Sequence, residues 1–164
     1  MFSGFFFEYL HKEIESNVSF GAEVSFVKQR KANRRIYAFD KYKTTTFHLN
    51  LNYFNERHML DTRISVGRYL AQDLGLTIET SRVFSNGARI GAFFSKTNIS
   101  SAEFGEGSFD KGIFLSFPTN LFSQKPSKGT SRHMYRPILR DGAAKLNHSV
   151  KLLDVLFDDS DYRF

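Results

Sequence analysis

Between Val18 and Phe26 every second residue is apolar: Val18, Phe20, Ala22, Val24 and Phe26 alternate with Ser19, Gly21, Glu23 and Ser25. A helix would scatter these five around its axis, whereas an extended strand places them all on one side. The same two-residue period returns along most of the chain. Thr45, Phe47, Leu49, Leu51 and Tyr53 oppose Thr46, His48, Asn50 and Asn52. Leu60, Thr62, Ile64 and Val66 oppose Asp61, Arg63, Ser65 and Gly67, and Leu74, Leu76, Ile78 and Thr80 oppose Thr77, Glu79 and Ser81. Ala88, Ile90, Ala92 and Phe94 face away from Arg89, Gly91 and Ser95; Ile113, Leu115 and Phe117 mark a further strand. Phe2–His11 reads as a strand with Phe5, Phe7 and Tyr9 on one face. Turn signals fall between these runs at Asn55–His58, Gln72–Asp73 and Ser85–Asn86–Gly87, where Asn-Gly tolerates the positive φ of a tight hairpin. The pattern predicts an all-β antiparallel meander, with strands of about nine to eleven residues that match a tilted membrane crossing.

Two stretches break the period. The polar segment Gln29–Lys43 reads as a long loop with a weak strand at Ile36–Phe39. After Pro118 comes a Ser/Lys/Pro loop over Thr119–Gly129, then one more strand at Arg132–Leu139, interrupted by Pro137. From Arg140 onward Leu146, Val150, Leu153 and Phe157 recur at helical spacing. This predicts an amphipathic helix over Gly142–Phe157, followed by an acidic tail. The chain thus divides into a β-barrel segment, 1–139, and a C-terminal helix and tail, 140–164.

Composition narrows the setting without fixing it. Mean hydropathy is −0.36, and no apolar run approaches the roughly 18 residues that a membrane helix needs. Membrane strands escape that criterion, because lipid-facing and lumen-facing residues alternate. Nineteen Phe and seven Tyr, with no Trp, suit strands and interfacial girdles alike. The absence of cysteine excludes disulfides and thiolate zinc sites within this chain. A net charge of +6 invites a nucleic-acid reading. The charges are scattered, however, and no nucleic-acid partner is expected. The one dense basic run, Lys28, Arg30, Lys31, Arg34 and Arg35, lies in a turn and reads as a solvated loop or a contact for anionic lipid or polysaccharide. Met1–Phe2–Ser3–Gly4 leads directly into Phe5–Tyr9, with no basic and apolar leader.

No catalytic, cofactor or metal constellation emerges. His11, His48, His58, His133 and His148 lack metal-ligand spacing, and no Gly-x-Ser-x-Gly elbow exists. Glu103, Glu106 and Asp110 fit neither an EF-hand nor the opposed carboxyls of a glycosidase. Their loop reads as structural, with Gly105, Gly107 and Gly112 permitting tight turns and Phe104 and Phe109 pinning it to a wall. The polar faces of the strands carry more content. Glu23, His48, Asn50, Asn52, Asp61, Arg63, Glu79 and Arg89 are candidate lumen or polysaccharide contacts, since sugars exchange hydrogen bonds with such groups. Alternation alone leaves open which face lies outward. A soluble barrel buries its apolar face, and a membrane barrel exposes it. A soluble all-β binding module for a polyanionic or carbohydrate partner therefore stands as the alternative.

Several phrases together bring in a resemblance: G-A-E-V-S-F-V-K-Q-R (Gly21–Arg30), T-T-T-F-H-L-N-L-N-Y, V-G-R-Y-L-A-Q-D (Val66–Asp73), S-R-V-F-S-N-G, G-A-F-F-S-K-T-N (Gly91–Asn98), F-G-E-G-S-F-D-K-G and R-P-I-L-R-D-G-A-A-K-L (Arg136–Leu146). The set resembles the C-terminal region of YjbH-like, or GfcD-like, exopolysaccharide and capsule proteins. The resemblance implies a non-enzymatic bacterial outer-membrane β-barrel, or part of one, in exopolysaccharide or capsule secretion and surface assembly. It implies the polymer and outer-membrane lipid as partners, together with lipoprotein and periplasmic proteins of the same operon, and no cofactor. It also implies a chain corresponding to the C-terminal piece of a longer protein. Phe104, Gly105, Glu106, Gly107, Phe109, Asp110, Lys111 and Gly112 form the family-signature loop.

Overall fold

The computed structural model describes residues 2–30, 39–99, 109–119, 130–136, 143–146, 148, 151–153 and 155. Eight strands follow one another: β1 (Phe2–Lys12), β2 (Val18–Arg30), β3 (Phe39–Asn55), β4 (Leu60–Arg68), β5 (Leu74–Val83), β6 (Arg89–Thr97), β7 (Asp110–Pro118) and β8 (Thr130–Tyr135). They form one sheet in sequence order, every neighbouring pair antiparallel. The sheet is a curled half-barrel. The all-β meander expected from the alternation is therefore the fold. β3 reaches upstream to Phe39, the last residue of the weak strand expected there, while 31–38, with Lys31, Arg34 and Arg35, lie outside the described residues. So do Pro137–Leu139, the loop 120–129 and the acidic tail.

The turns form where the sequence placed them. In the Ser85–Asn86–Gly87 hairpin the Phe84 amide donates to Ala88 O at 2.9 Å, and the Ala88 amide donates to Asn86 Oδ1 at 3.0 Å. Gly87 takes φ of 79°, a value costly for a side chain with a Cβ. The β4–β5 turn closes through the Tyr69 amide on Asp73 O at 2.8 Å, with Gln72 at φ 69°.

Burial decides what alternation left open. The buried side chains are mostly polar: Ser19, Ser25, Thr46, His48, Asn52, Asp61, Ser65, Ser81, Ser95 and Asp110. Most large apolar members of the same strands point to the convex side, while Val27, Phe54, Phe93 and Phe114 are buried among the polar groups. Phe5 is 75% exposed, Phe7 66%, Leu49 65% and Ile113 59%. A water-soluble sandwich or barrel has the reverse distribution. The concave side is polar and covered, and the convex side is apolar and bare.

Part of that cover comes from the C-terminal segment, and here the helix expected over Gly142–Phe157 needs correction. The described residues Ala143–Leu146 and His148 are not helical; helical backbone occurs at Leu152, Leu153 and Val155. The cause is competition for backbone groups. Ala143 sits at φ 56°, a left-handed value that ends helical propagation. Its amide donates to Asp73 Oδ2 at 2.9 Å, and Ala144 O accepts from the Leu70 amide at 3.0 Å. These groups bond the β4–β5 turn rather than each other. Further along, Val155 N donates to Lys151 O at 3.1 Å, and the Leu152 amide is capped by Glu8 Oε2 of β1 at 3.0 Å. The segment thus reaches from the β4–β5 turn to the first strand.

Candidate functional site on the concave polar face

All eight residues expected on the polar face lie on the concave side, and strand register sets them in rows. Glu23 lies opposite His48, and Asn52 opposite Arg63, which in turn lies opposite Glu79. The His48 Nδ1–Glu23 Oε1 separation is 2.9 Å. Asn50 Oδ1 accepts from Ser65 Oγ at 2.6 Å, and Asn52 Nδ2 donates to Ser19 Oγ at 3.2 Å. Asp61, 1% exposed, accepts on Oδ2 from Arg63 Nε at 3.1 Å and Arg89 Nη1 at 3.0 Å. One carboxylate thus gathers two guanidiniums from different strands. Charge-assisted bonds of this kind make burial of Asp61 tolerable.

Sequence reasoning missed a second set, whose members lie far apart in the chain. Tyr69, fully buried, shares a 2.5 Å hydrogen bond with Thr77 Oγ1, which pairs with Ser95 Oγ at 2.8 Å. The Tyr69 ring meets His48 edge-on at 4.9 Å between centroids. Tyr69 and Ala143 form a small buried cluster, with Ile99 against it. The period-2 parity of Thr77 and Ser95 was readable; the position of Tyr69, in a turn, was not.

Between β6 and β7 two aromatic rings lie over glycines. A Cβ on Gly91 would stand 2.5 Å from Phe114 Cζ, and one on Gly112 would stand 2.5 Å from Phe93 Cε1. Register makes these the direct cross-strand pairs Gly91–Phe114 and Phe93–Gly112. Guanidiniums cap the same rings, Arg132 at 3.9 Å from the Phe114 centroid and Arg136 at 5.6 Å from that of Phe93. Arg132 also pairs with Glu79 at 2.8 Å, and Arg136 binds both carboxylate oxygens of Asp110. Asp110 is therefore held in an ion pair on this face.

The signature loop divides across the sheet. Asp110 and Gly112 face inward; Phe109 packs on the outward ring of Phe94 at 4.8 Å, with the Lys111 ammonium 4.9 Å above it. Phe109 itself thus lies against the convex wall. Phe104, Gly105, Glu106 and Gly107, like Glu103, lie outside the described residues. Among the described residues no three His, Asp or Glu cluster as metal ligands.

The C-terminal segment brings its own polar groups over this face. Burial pushes the Lys145 ammonium down to about 8, with Glu23 and Glu79 drawing it back up and Lys151 and Arg63 pushing it further down. His148 stacks on Phe6 at 3.6 Å, and burial lowers its pKa as well. The face as a whole presents hydroxyls, amides and mutually neutralised ion pairs, an arrangement suited to many weak hydrogen bonds.

The model of the YjbH family, described as exopolysaccharide biosynthesis protein YbjH, matches residues 1–158. A protein of Escherichia coli K12 named as an uncharacterized lipoprotein, YjbH, is 35% identical over 164 residues. That match covers 98% of this chain and 23% of the relative, so the chain spans about a quarter of the relative's length. No solved structure matches.

Proposed function

The chain belongs to the YjbH family of exopolysaccharide biosynthesis proteins, and on that premise we propose that it forms non-enzymatic outer-membrane β-barrel wall in the secretion or surface assembly of an exopolysaccharide or capsule polymer. Family membership supports a role in exopolysaccharide production. The lipoprotein name of the relative supports a membrane-associated setting.

The observation that carries the barrel reading is the inverted burial. Exposed Phe, Leu, Ile and Val on the convex side cost free energy in water, at about 25 cal/mol per Å² left uncovered. Against acyl chains the same surface is at its ease. The concave ion pairs and hydroxyls would then line an aqueous lumen. Mixed-sign groups already paired with one another give a sliding polymer many shallow contacts and no deep trap. Lipoprotein and periplasmic proteins from the same operon, implied by the family, would deliver or receive the polymer.

Spin labels on single cysteines test the orientation in reconstituted bilayers. Labels at Leu49→Cys and Ile113→Cys should be reached by oxygen and not by a water-soluble nickel chelate. Labels at Asn50→Cys and Ser95→Cys should show the opposite preference. Equal access of the chelate to both pairs would overturn the barrel reading. Release of shortened chains from purified polymer incubated with the protein would overturn the non-enzymatic part.

A further inference from the structure

One end of the half-barrel is basic on its outward side. In a meander the end of β2, the start of β3, the end of β4, the end of β6 and the start of β7 share one rim. The outward positions there are Lys28, Lys43, Arg68, Lys96 and Lys111. Their cross-strand neighbours begin the apolar belt: Arg68 lies opposite Phe47 and Leu74, Lys96 opposite Leu76, and Lys111 opposite Phe94. Lys28 lies directly opposite Lys43. Beside them Asp40 and Lys41 offset each other. At the opposite rim Glu13, Glu15 and Glu56 balance Lys12, Arg57 and Arg82. Among the described residues the cationic excess therefore lies at one end.

We propose that this rim is a docking band for net-anionic phosphate headgroups of the membrane lipid, fixing the depth and direction of the barrel wall in the bilayer. The inference rests on the membrane reading above, and three observations carry it. First, the lysines at Lys28, Lys43, Lys96 and Lys111 are exposed and make no ion pair among the described residues. Second, a like-charged pair such as Lys28 and Lys43, directly opposite each other on adjacent strands, is unfavourable by itself. A phosphate between the two ammoniums reverses that sign. Third, the height is right. From Lys43 to Tyr53 along β3 is ten residues, about 33 Å of strand. Tilted as membrane strands are, that is an apolar band of about 25 Å. Lysine stems can lie along the belt while their ammoniums reach the headgroup layer. Lys28 and Lys111 also hold their ammoniums 5.5 and 4.9 Å from the Phe39 and Phe109 ring centroids, at the boundary itself.

The test reconstitutes the protein in vesicles of equal parts phosphatidylcholine and phosphatidylglycerol. Trace lipid of either kind, spin-labelled near the end of its chain, reports the motionally restricted layer around the protein. The phosphatidylglycerol label should be enriched in that layer over the phosphatidylcholine label, with an attraction of roughly fivefold per lysine engaged. High salt should erase the preference, since the Debye length shrinks to about 3 Å at 1 M. The double variants Lys28→Gln/Lys43→Gln and Lys96→Gln/Lys111→Gln should each reduce it, and these exposed positions leave the strands intact. Equal restriction of both labels, unchanged by salt or by either variant, overturns the proposal while leaving the membrane reading standing. A restricted layer for neither label removes the membrane reading and the proposal with it. Inorganic phosphate added in excess serves as a control: loss of enrichment beyond that given by a chloride solution of equal ionic strength would mark a free-anion site and also overturn the lipid assignment.

Discussion

Replacing Asp73 by Ala should loosen the whole C-terminal segment from the concave face. The Asp73 carboxylate is 3% exposed and accepts the Ala143 amide on Oδ2 at 2.9 Å. A hydrogen bond to a buried charged group contributes about 1.5–3 kcal/mol. At roughly 1.4 kcal/mol per factor of ten, its loss raises the population of the undocked segment about ten- to hundredfold. Two amides report this release within the same molecule. The Leu70 amide is held by Ala144 O at 3.0 Å near the altered site, and the Leu152 amide is held by Glu8 Oε2 at 3.0 Å at the far end. Native-state hydrogen exchange of both should accelerate by the same ten- to hundredfold if residues 143–153 dock as one unit. Asp73→Asn keeps one acceptor oxygen and weakens the bond to a neutral one, so its effect should be only a few-fold. Acceleration at Leu70 with Leu152 unchanged would refute the single-unit reasoning. No acceleration at either amide would refute the assignment of Asp73 as the anchor.

Two other expectations concern the same face. Lys145 has a docked pKa of about 8 against an ordinary 10.5, so the released segment binds more protons between those values. Docking should tighten as pH rises from about 8 to 10.5, approaching roughly 2 kcal/mol once residual solvent contact is discounted; Leu152 exchange corrected for its intrinsic pH dependence measures it, and Lys145→Met should abolish the slope. Gly91→Ala puts a Cβ 2.5 Å from Phe114 Cζ and 2.7 Å from Ser81 Cβ, an overpacking that costs about 1–3 kcal/mol. Denaturant midpoints should fall accordingly, and Phe114→Leu in the same chain should recover part of the loss.

The strands were legible because their signal is local. Phe20, Val24, Phe47, Leu49, Ile90 and Ile113 lie on one side of their strands for the same stereochemical reason wherever they occur. The eight candidate polar residues from Glu23 to Arg89 shared a face for that reason too. The Asn86–Gly87 hairpin was equally local, its φ of 79° being a property of the glycine itself. The C-terminal segment departs from its helical spacing. Leu146, Val150 and Leu153 carry helical spacing, but the partners of Ala143 and Ala144 are Asp73 and Leu70, some seventy residues upstream. No window along the chain holds that competition. The stacks of Arg132 on Phe114 over Gly91 and of Arg136 on Phe93 over Gly112 were hidden similarly, since they depend on the registers of β6, β7 and β8.

By itself, then, the sequence determined that the chain is a meander of strands, each with one apolar and one polar edge. It could not determine which edge turns outward, because a period of two is the same seen from either side of a sheet. Curvature made that choice in the tertiary structure, by closing the polar face of Ser25, His48, Asn52 and Asp61 into the concavity beneath the C-terminal segment. Phe5, Phe7, Leu49 and Ile113 were left on the convex side. The direction of curling and the docking of a distant segment are long-range events, decided by twist, register and hydrogen bonds between residues far apart in the chain.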